Sequence, residues 1–225
     1  LVSNSGVVAT DTTGVGTARY FLAAAGYDGD KAIFGYGRTS SYYSISNKVS
    51  NSGVVASNTS GVGTARAFLA GASYGGDKAI FGYGEEPDGE DSAFLSITNL
   101  VSNSGVVASD TGGVGTARMI LAAAGYGTDK VIFGYGDTGS PTAITNLVSN
   151  SGVVASDTTG VGQARIAVAA AMYGDDKAIF GYGENTDVGT ANISITNLVS
   201  NTGVVAGNTT GVGTGRRRLA AASYG

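Results

Sequence analysis

Four kinds of short apolar run alternate along the chain, divided by clusters of Gly, Ser, Thr, Asn and Asp. The first follows an arginine and is rich in alanine: Tyr20 to Tyr27 reads YFLAAAGY, with counterparts starting at Ala67, Met119, Ile166 and Arg217. The second is KAIFGYG at Lys31, Lys78 and Lys177, with KVIFGYG at Lys130. The third centres on Ile45, Ile97, Ile144 and Ile195, and the fourth is GVVA, running into turns such as DTTGVG. Alanine favours helix, but these runs are too short for a stable one and several are closed by glycine. Small residues also suit an inner strand crowded near an axis. KAIFGYG is rich in strand formers, with glycines where backbones approach closely. Gly127-Thr128-Asp129-Lys130 reads as a hairpin turn between the first two runs, and Asn-Ser-Gly as one between the third and fourth.

The runs form one repeated unit. Leu147 to Gly162, LVSNSGVVASDTTGVG, has near-copies at Leu1, Lys48, Leu100 and Leu198, spaced by 47, 52, 47 and 51 residues. Four antiparallel strands in about 50 residues is the period of a propeller blade. The expectation is an all-β propeller in a single domain, 1–225, with units starting near 1, 48, 100, 147 and 198. It would have five blades of four-stranded antiparallel sheets. The last blade would be closed by both termini and would lack one strand, because the second run occurs four times and the others five times, the third counting the LVSN that opens the chain. A truncated sequence, a strand supplied by another chain, and a rearranged three-stranded blade all fit that count, and open edges recruit strands. The chain opens inside a repeat, as a cut, processed or engineered piece would.

An arginine, an Ala-rich strand, a short turn and an apolar strand ending in FGYG together resemble the kelch repeat, with FGYG standing where kelch has its double glycine. ITNLVSNSG and VVASDTTGVGTAR resemble kelch strands three and four and the lead to the next arginine. The resemblance covers the whole chain, which lacks the Tyr and Trp usual in the outer kelch strands. It implies the propeller shape and a structural arginine in each blade. The low-charge, Gly/Ser/Thr-rich, near-identical units also resemble kelch-like repeats of phage tail and other surface proteins. That implies an extracellular or virion-surface location.

Composition narrows the function. Charged residues make up 13% and the net charge is −4, which leaves no basic face for nucleic acid. No apolar run approaches the roughly 20 residues of a membrane-spanning helix, so membrane insertion is not expected. With no His and no Cys, the usual general base and activated nucleophiles are missing, and so is the copper chemistry of kelch-type oxidases. A paired-carboxylate hydrolase would need a carboxyl with a raised pKa in a pocket, and the acids here fall in loops. The reading is a non-enzymatic protein without a cofactor.

Candidate chemistry lies where the units differ. The segments between runs two and three, Arg38 to Ser44, Glu85 to Ser96, Asp137 to Ala143 and Glu184 to Ser194, vary in length and wording on an otherwise constant frame. Variable loops on a rigid scaffold are a common way to build a binding surface, although solvated tips also drift freely. Their acids, Glu85, Glu86, Asp88, Glu90, Asp91, Asp137, Glu184 and Asp187, are candidate ligand contacts. They show no repeated spacing that would supply the six to eight or so oxygens calcium takes. Tyr36, Tyr83, Tyr135 and Tyr182 are candidate stacking platforms for sugars, as in propeller lectins, or packing between blades. Tyr27, Tyr74, Tyr126, Tyr173 and Tyr224 form a second such set.

Arg19, Arg66, Arg118, Arg165 and Arg216 read either as a cationic ring for an anionic ligand or as donors to neighbouring carbonyls. Asp11, Asp110 and Asp157 exchange with Asn58 and Asn208, which suits turn formers. ASDTTG resembles the sialidase Asp-box without its closing aromatic, and that box is a structural turn. GVGTA and GYG do not lead from strand to helix and are not phosphate loops. The expected partners are a glycan or a surface protein; self-association through an open blade edge is the alternative, in a structural role without a small ligand.

Overall fold

The computed structural model describes all residues except 1, 3, 4, 89, 90, 187–190, 224 and 225. Among the described residues there is no helix, and the alanine runs are strands. The first unit forms β1 (Ala23–Tyr27), β2 (Lys31–Gly35) and β3 (Ser46–Val49), antiparallel and in that order. Next come β4 (Ala70–Tyr74), β5 (Lys78–Gly82), a hairpin of β6 (Glu85–Asp88) and β7 (Asp91–Phe94), and β8 (Thr98–Val101). The third unit has β9 (Ala122–Tyr126), β10 (Lys130–Gly134) and β11 (Thr145–Val148). The fourth has β12 (Ala169–Tyr173), β13 (Lys177–Gly181), a short hairpin of β14 (Glu184–Asn185) and β15 (Ala191–Asn192), and β16 (Thr196–Val199). Each unit thus makes one three-stranded sheet, and two units carry an added two-stranded ribbon.

The fourth run does not extend the sheet as a regular strand, so the four-stranded expectation is corrected. It touches the third strand through two isolated bridges, Val49–Val55 and Ser46–Thr59 in the first unit. Between these bridges β3 advances three residues and its partner four, so one extra residue bulges out of the edge. The same offset recurs at Val101–Val107 and Thr98–Thr111, and in the two later units. Asn47 fills the break: its Nδ2 donates to the Ala56 carbonyl at 3.1 Å. Asn99, Asn146 and Asn197 do the same for Ala108, Ala155 and Ala206. A buried amide thus takes over a ladder bond that the bulge removes.

The Ala-rich strands β1, β4, β9 and β12 lie side by side in chain order. Alanine and glycine let their backbones approach, and the Gly71 and Gly125 positions face neighbouring strands closely. The core is built between consecutive sheets. Tyr74, Ile80 and Tyr83 of one sheet enclose Val131, Phe133 and Val148 of the next. Phe133 seats against Gly82, where a methyl group would lie 2.8 Å from the ring. Phe81 and Phe180 occupy the same seat on Gly35 and Gly134. At the two ends of the chain the pattern thins: the described residues of 1–13 form a single bridge, Val2–Val8, and residues 217–223 form no ladder.

Candidate binding face

The arginine that precedes each inner strand is an internal fastener. Arg118 is fully buried; its Nε donates to Tyr135 O at 3.0 Å, Nη1 to Thr116 O at 3.0 Å and Nη2 to Asn146 Oδ1 at 2.7 Å. Arg66 and Arg165 make the same three bonds and are equally buried. Burial pushes the pKa of all three below the ordinary arginine value. Each guanidinium also lies over the tyrosine of the preceding unit, 4.0 to 4.1 Å from the ring centroid: Arg66 on Tyr36, Arg118 on Tyr83 and Arg165 on Tyr135. A cationic ring open to an anionic ligand therefore does not form from these arginines.

The same contact decides the tyrosines. Tyr36, Tyr83 and Tyr135 are buried beneath an arginine on one side, with Phe81, Phe133 and Phe180 against them edge-on. Their hydroxyls donate to Val62 O, Val114 O and Val161 O. Burial raises their pKa above the ordinary tyrosine value. None of these three rings offers a face to a sugar. Tyr182 is half-buried, with Arg216 over it at 4.9 Å.

Directly after each arginine the chain takes an unusual path. Phe21, Phe68, Ile120, Ala167 and Arg218 all have φ between 53° and 56°. This left-handed region is disfavoured for any side chain and most of all for a β-branched one. A chain of backbone bonds holds them: Phe68 N donates to Phe21 O, Ile120 N to Phe68 O, Ala167 N to Ile120 O and Arg218 N to Ala167 O. The five side chains, each followed by Leu or Val, line one cavity of about 340 Å3. One wall is aromatic, with Phe21 stacked on Phe68 at 3.8 Å and Tyr20 edge-on to Phe21 at 4.8 Å. Exposed Arg218 brings the one charged side chain among these five positions.

The variable loops begin beside this cavity. Bridges pair Tyr20 with Arg38, Ala67 with Glu85, Met119 with Asp137 and Ile166 with Glu184. Glu85 is buried, accepting from Tyr42 Oη at 2.6 Å and from Arg38 Nη1 at 3.1 Å. Arg38 and Tyr42 belong to the preceding unit's loop, so this cluster ties two loops together. Glu184 is also buried and pairs with Arg217. Asp137 is half-buried and caps its own turn, Oδ1 accepting from Gly139 N at 2.8 Å. Glu86 is half-buried on β6. Asp88 and Asp91 stand opposite each other in the β6–β7 register. Glu90 and Asp187, with Tyr224 of the second tyrosine set, lie outside the described residues. Among the described residues no group of three acidic side chains gathers as a metal site would require.

Sequence reading missed the ten residues at positions 20–21, 67–68, 119–120, 166–167 and 217–218. The signal was present: YF, AF, MI, IA and RR follow an otherwise constant G-[TQ]-[AG]-R, so a column-by-column alignment of the units exposes them.

No protein-family model matches the chain, and no curated protein matches it. Its fold is similar to that of a solved structure of YjhT, with a TM-score of 0.66 at 13% identity over 91% of this chain and 74% of that one. At that identity the likeness shows a shared fold alone.

Proposed function

We propose that the chain is a kelch-like propeller of five blades, the fifth assembled from both ends of the chain, and that it serves as a non-catalytic recognition module. Support for the ring comes from two cavities. Residues 21–22, 68–69, 120–121, 167–168 and 218–219 share one. At a second, Ala25, Ala72, Ala124, Ala171 and Ala222 meet. A straight stack would not bring the first and last inner segments to the same cavities.

The observation that carries the recognition reading is convergence. The loops after FGYG, where the units differ in length, and the variable pairs that follow each arginine are joined by bridges beside the 340 Å3 cavity. The invariant residues form the frame beneath it. A pocket of this size with apolar walls and a few polar groups is of the kind that binds small ligands or a protruding group of a larger one. The favoured ligand is a glycan or a surface protein, and the setting is an extracellular or virion surface. The buried Glu85 then acts as a positioning residue for Arg38 and Tyr42, and the remaining N–H groups of Arg38 are the donors at the rim.

A glycan array probed with the full chain, followed by titration of any hit, tests the reading. Binding should fall at least about tenfold in Phe68→Ala and in Arg218→Ala, the loss of ~1.4 kcal/mol expected for one removed contact. Binding that ignores both substitutions would move the site off this face. A chain that binds no glycan and no surface protein would leave the structural, self-assembling role.

A further inference from the structure

Every sheet has two unlike faces. Toward the preceding unit it presents the phenylalanine of its second strand; toward the following unit it presents the isoleucine of that strand and the tyrosine of FGYG. Between consecutive sheets these faces close completely: Phe81, Phe133 and Phe180 are 0% exposed, and so are Ile33, Ile80 and Ile132. The equivalent residues at the outer ends of the series are open. Phe34 is 36% exposed, and Ile179 and Tyr182 are half-buried. A methyl group on Gly82 or Gly134 would lie 2.8 Å from a phenylalanine ring, whereas on Gly181 it meets only Thr196 Cγ2, at 3.3 Å. Arg19 keeps the hydrogen bonds of its class, to Tyr36 O, Thr17 O and Asn47, yet is itself half-buried.

These two faces are the halves of the interface that occurs three times inside the chain. We propose that together they form a docking site for one extended strand with the chemistry of Asp176–Gly183, DKAIFGYG. The occupant follows from continuity with the three resident interfaces. Its phenylalanine takes the seat on Gly181 and Tyr182. Its Gly-Tyr receives Phe34, and Arg19 covers its tyrosine as Arg66 covers Tyr36 at 4.0 Å. Its backbone pairs with residues 219–223, which make no ladder of their own and of which Ala220 and Ala221 flank Gly181 and Tyr182 in a cavity of about 340 Å3. The proposal rests on the ring arrangement above and not on the ligand reading.

The test is a synthetic DKAIFGYG peptide with an N-terminal dye, titrated into the full chain and followed by fluorescence anisotropy. Saturable one-to-one binding is expected. Affinity should fall at least about tenfold, the equivalent of ~1.4 kcal/mol, when the peptide's phenylalanine is replaced by alanine. The same fall is expected when the protein carries Gly181→Ala, whose methyl enters the seat and meets only Thr196 Cγ2 within the chain, at 3.3 Å. Phe34→Ala, on the opposite face, should weaken the same peptide independently. The proposal is overturned by failure to saturate, by equal binding of a scrambled peptide, or by binding indifferent to both protein substitutions. It is also overturned by a stable dimer in which Tyr182 is shielded from nitration, since a second copy would then hold the face.

Discussion

Asn146 performs three tasks with one amide. Its Oδ1 accepts from Arg118 at 2.7 Å, and its Nδ2 donates to the bulged Ala155 carbonyl at 3.0 Å and to Asp157 Oδ1 at 2.9 Å. Asn197 does the same in the next unit, but the third partner there is Asn208. This explains why Asp and Asn interchange at the turn: the network needs an acceptor oxygen, and the charge is incidental. It also makes the two units unequal under the same substitution. Asn146→Asp sets a carboxylate against Asp157, whereas Asn197→Asp meets an amide that can turn its donor. Asn146→Asp should therefore destabilise the chain by roughly 1–2 kcal/mol more than Asn197→Asp at neutral pH. Acid should close the gap. Burial pushes the Asp157 pKa up, but hydrogen bonds from Thr116 and Asn146 outweigh it and hold the carboxyl below the ordinary aspartate value. Its contribution is thus present above that ordinary value and is lost as pH falls through the folded one. In Asn146→Asp the first proton instead relieves the paired carboxylates. Urea melts at about pH 7 and about pH 3 measure both gaps; a gap that persists in acid would show that repulsion is not its source.

At the level of the strand, the repeated pattern of short apolar runs located every three-stranded sheet, because period-two burial, as at Ala122, Ala124 and Tyr126, is written in residue type. Backbone excursions are not. Tyr20–Tyr27 reads as one strand, yet β1 starts at Ala23 because Phe21 sits at φ 55°. Gly or Asn would have announced that conformation; Phe, Phe, Ile, Ala and Arg conceal it. The bulge in the fourth run is equally silent, since an extra residue exists only relative to the partner strand. EEPDGEDS reads as an acidic loop and instead starts the β6–β7 ribbon with Glu85 turned inward to Arg38. The tyrosine spacing was visible, but not that an arginine from the next unit would cover each ring. Because no glycine relieves the left-handed position, its side chains are held there against the backbone's preference. Arg218 isolates that penalty, since its side chain is exposed and both truncations remove it. Arg218→Gly should be more stable than Arg218→Ala by about 1 kcal/mol, the difference between a residue with and without Cβ at positive φ. Thermal melts of the pair decide it; identical melting temperatures would mean that the segment adopts another backbone path in solution.

For the molecule as a whole, stability resides in the contacts between units more than within them. A three-stranded sheet of alanines, glycines and a few β-formers has little apolar area of its own to bury. The large side chains, Phe133, Tyr83 and Arg118 among them, are enclosed only when the neighbouring unit is present. Repeats coupled in this way are stabilised mainly at their interfaces. The four phenylalanines of the FGYG strands are chemically equivalent and differ only in whether a preceding sheet covers them. Phe133→Ala should cost about 3–5 kcal/mol, the usual range for emptying a packed aromatic site. Phe34→Ala, at a position already 36% exposed, should cost less than about 1 kcal/mol. Denaturant melts of the two variants provide the comparison, with the slope as a second readout. If the units fold as one body, Phe133→Ala lowers the midpoint and leaves the slope unchanged. A second transition would appear only if the chain divides at that interface, with β1–β8 and β9–β16 melting apart. Equal losses at Phe34 and Phe133 would mean that Phe34 is covered in solution, and that its face is already occupied when the chain is alone.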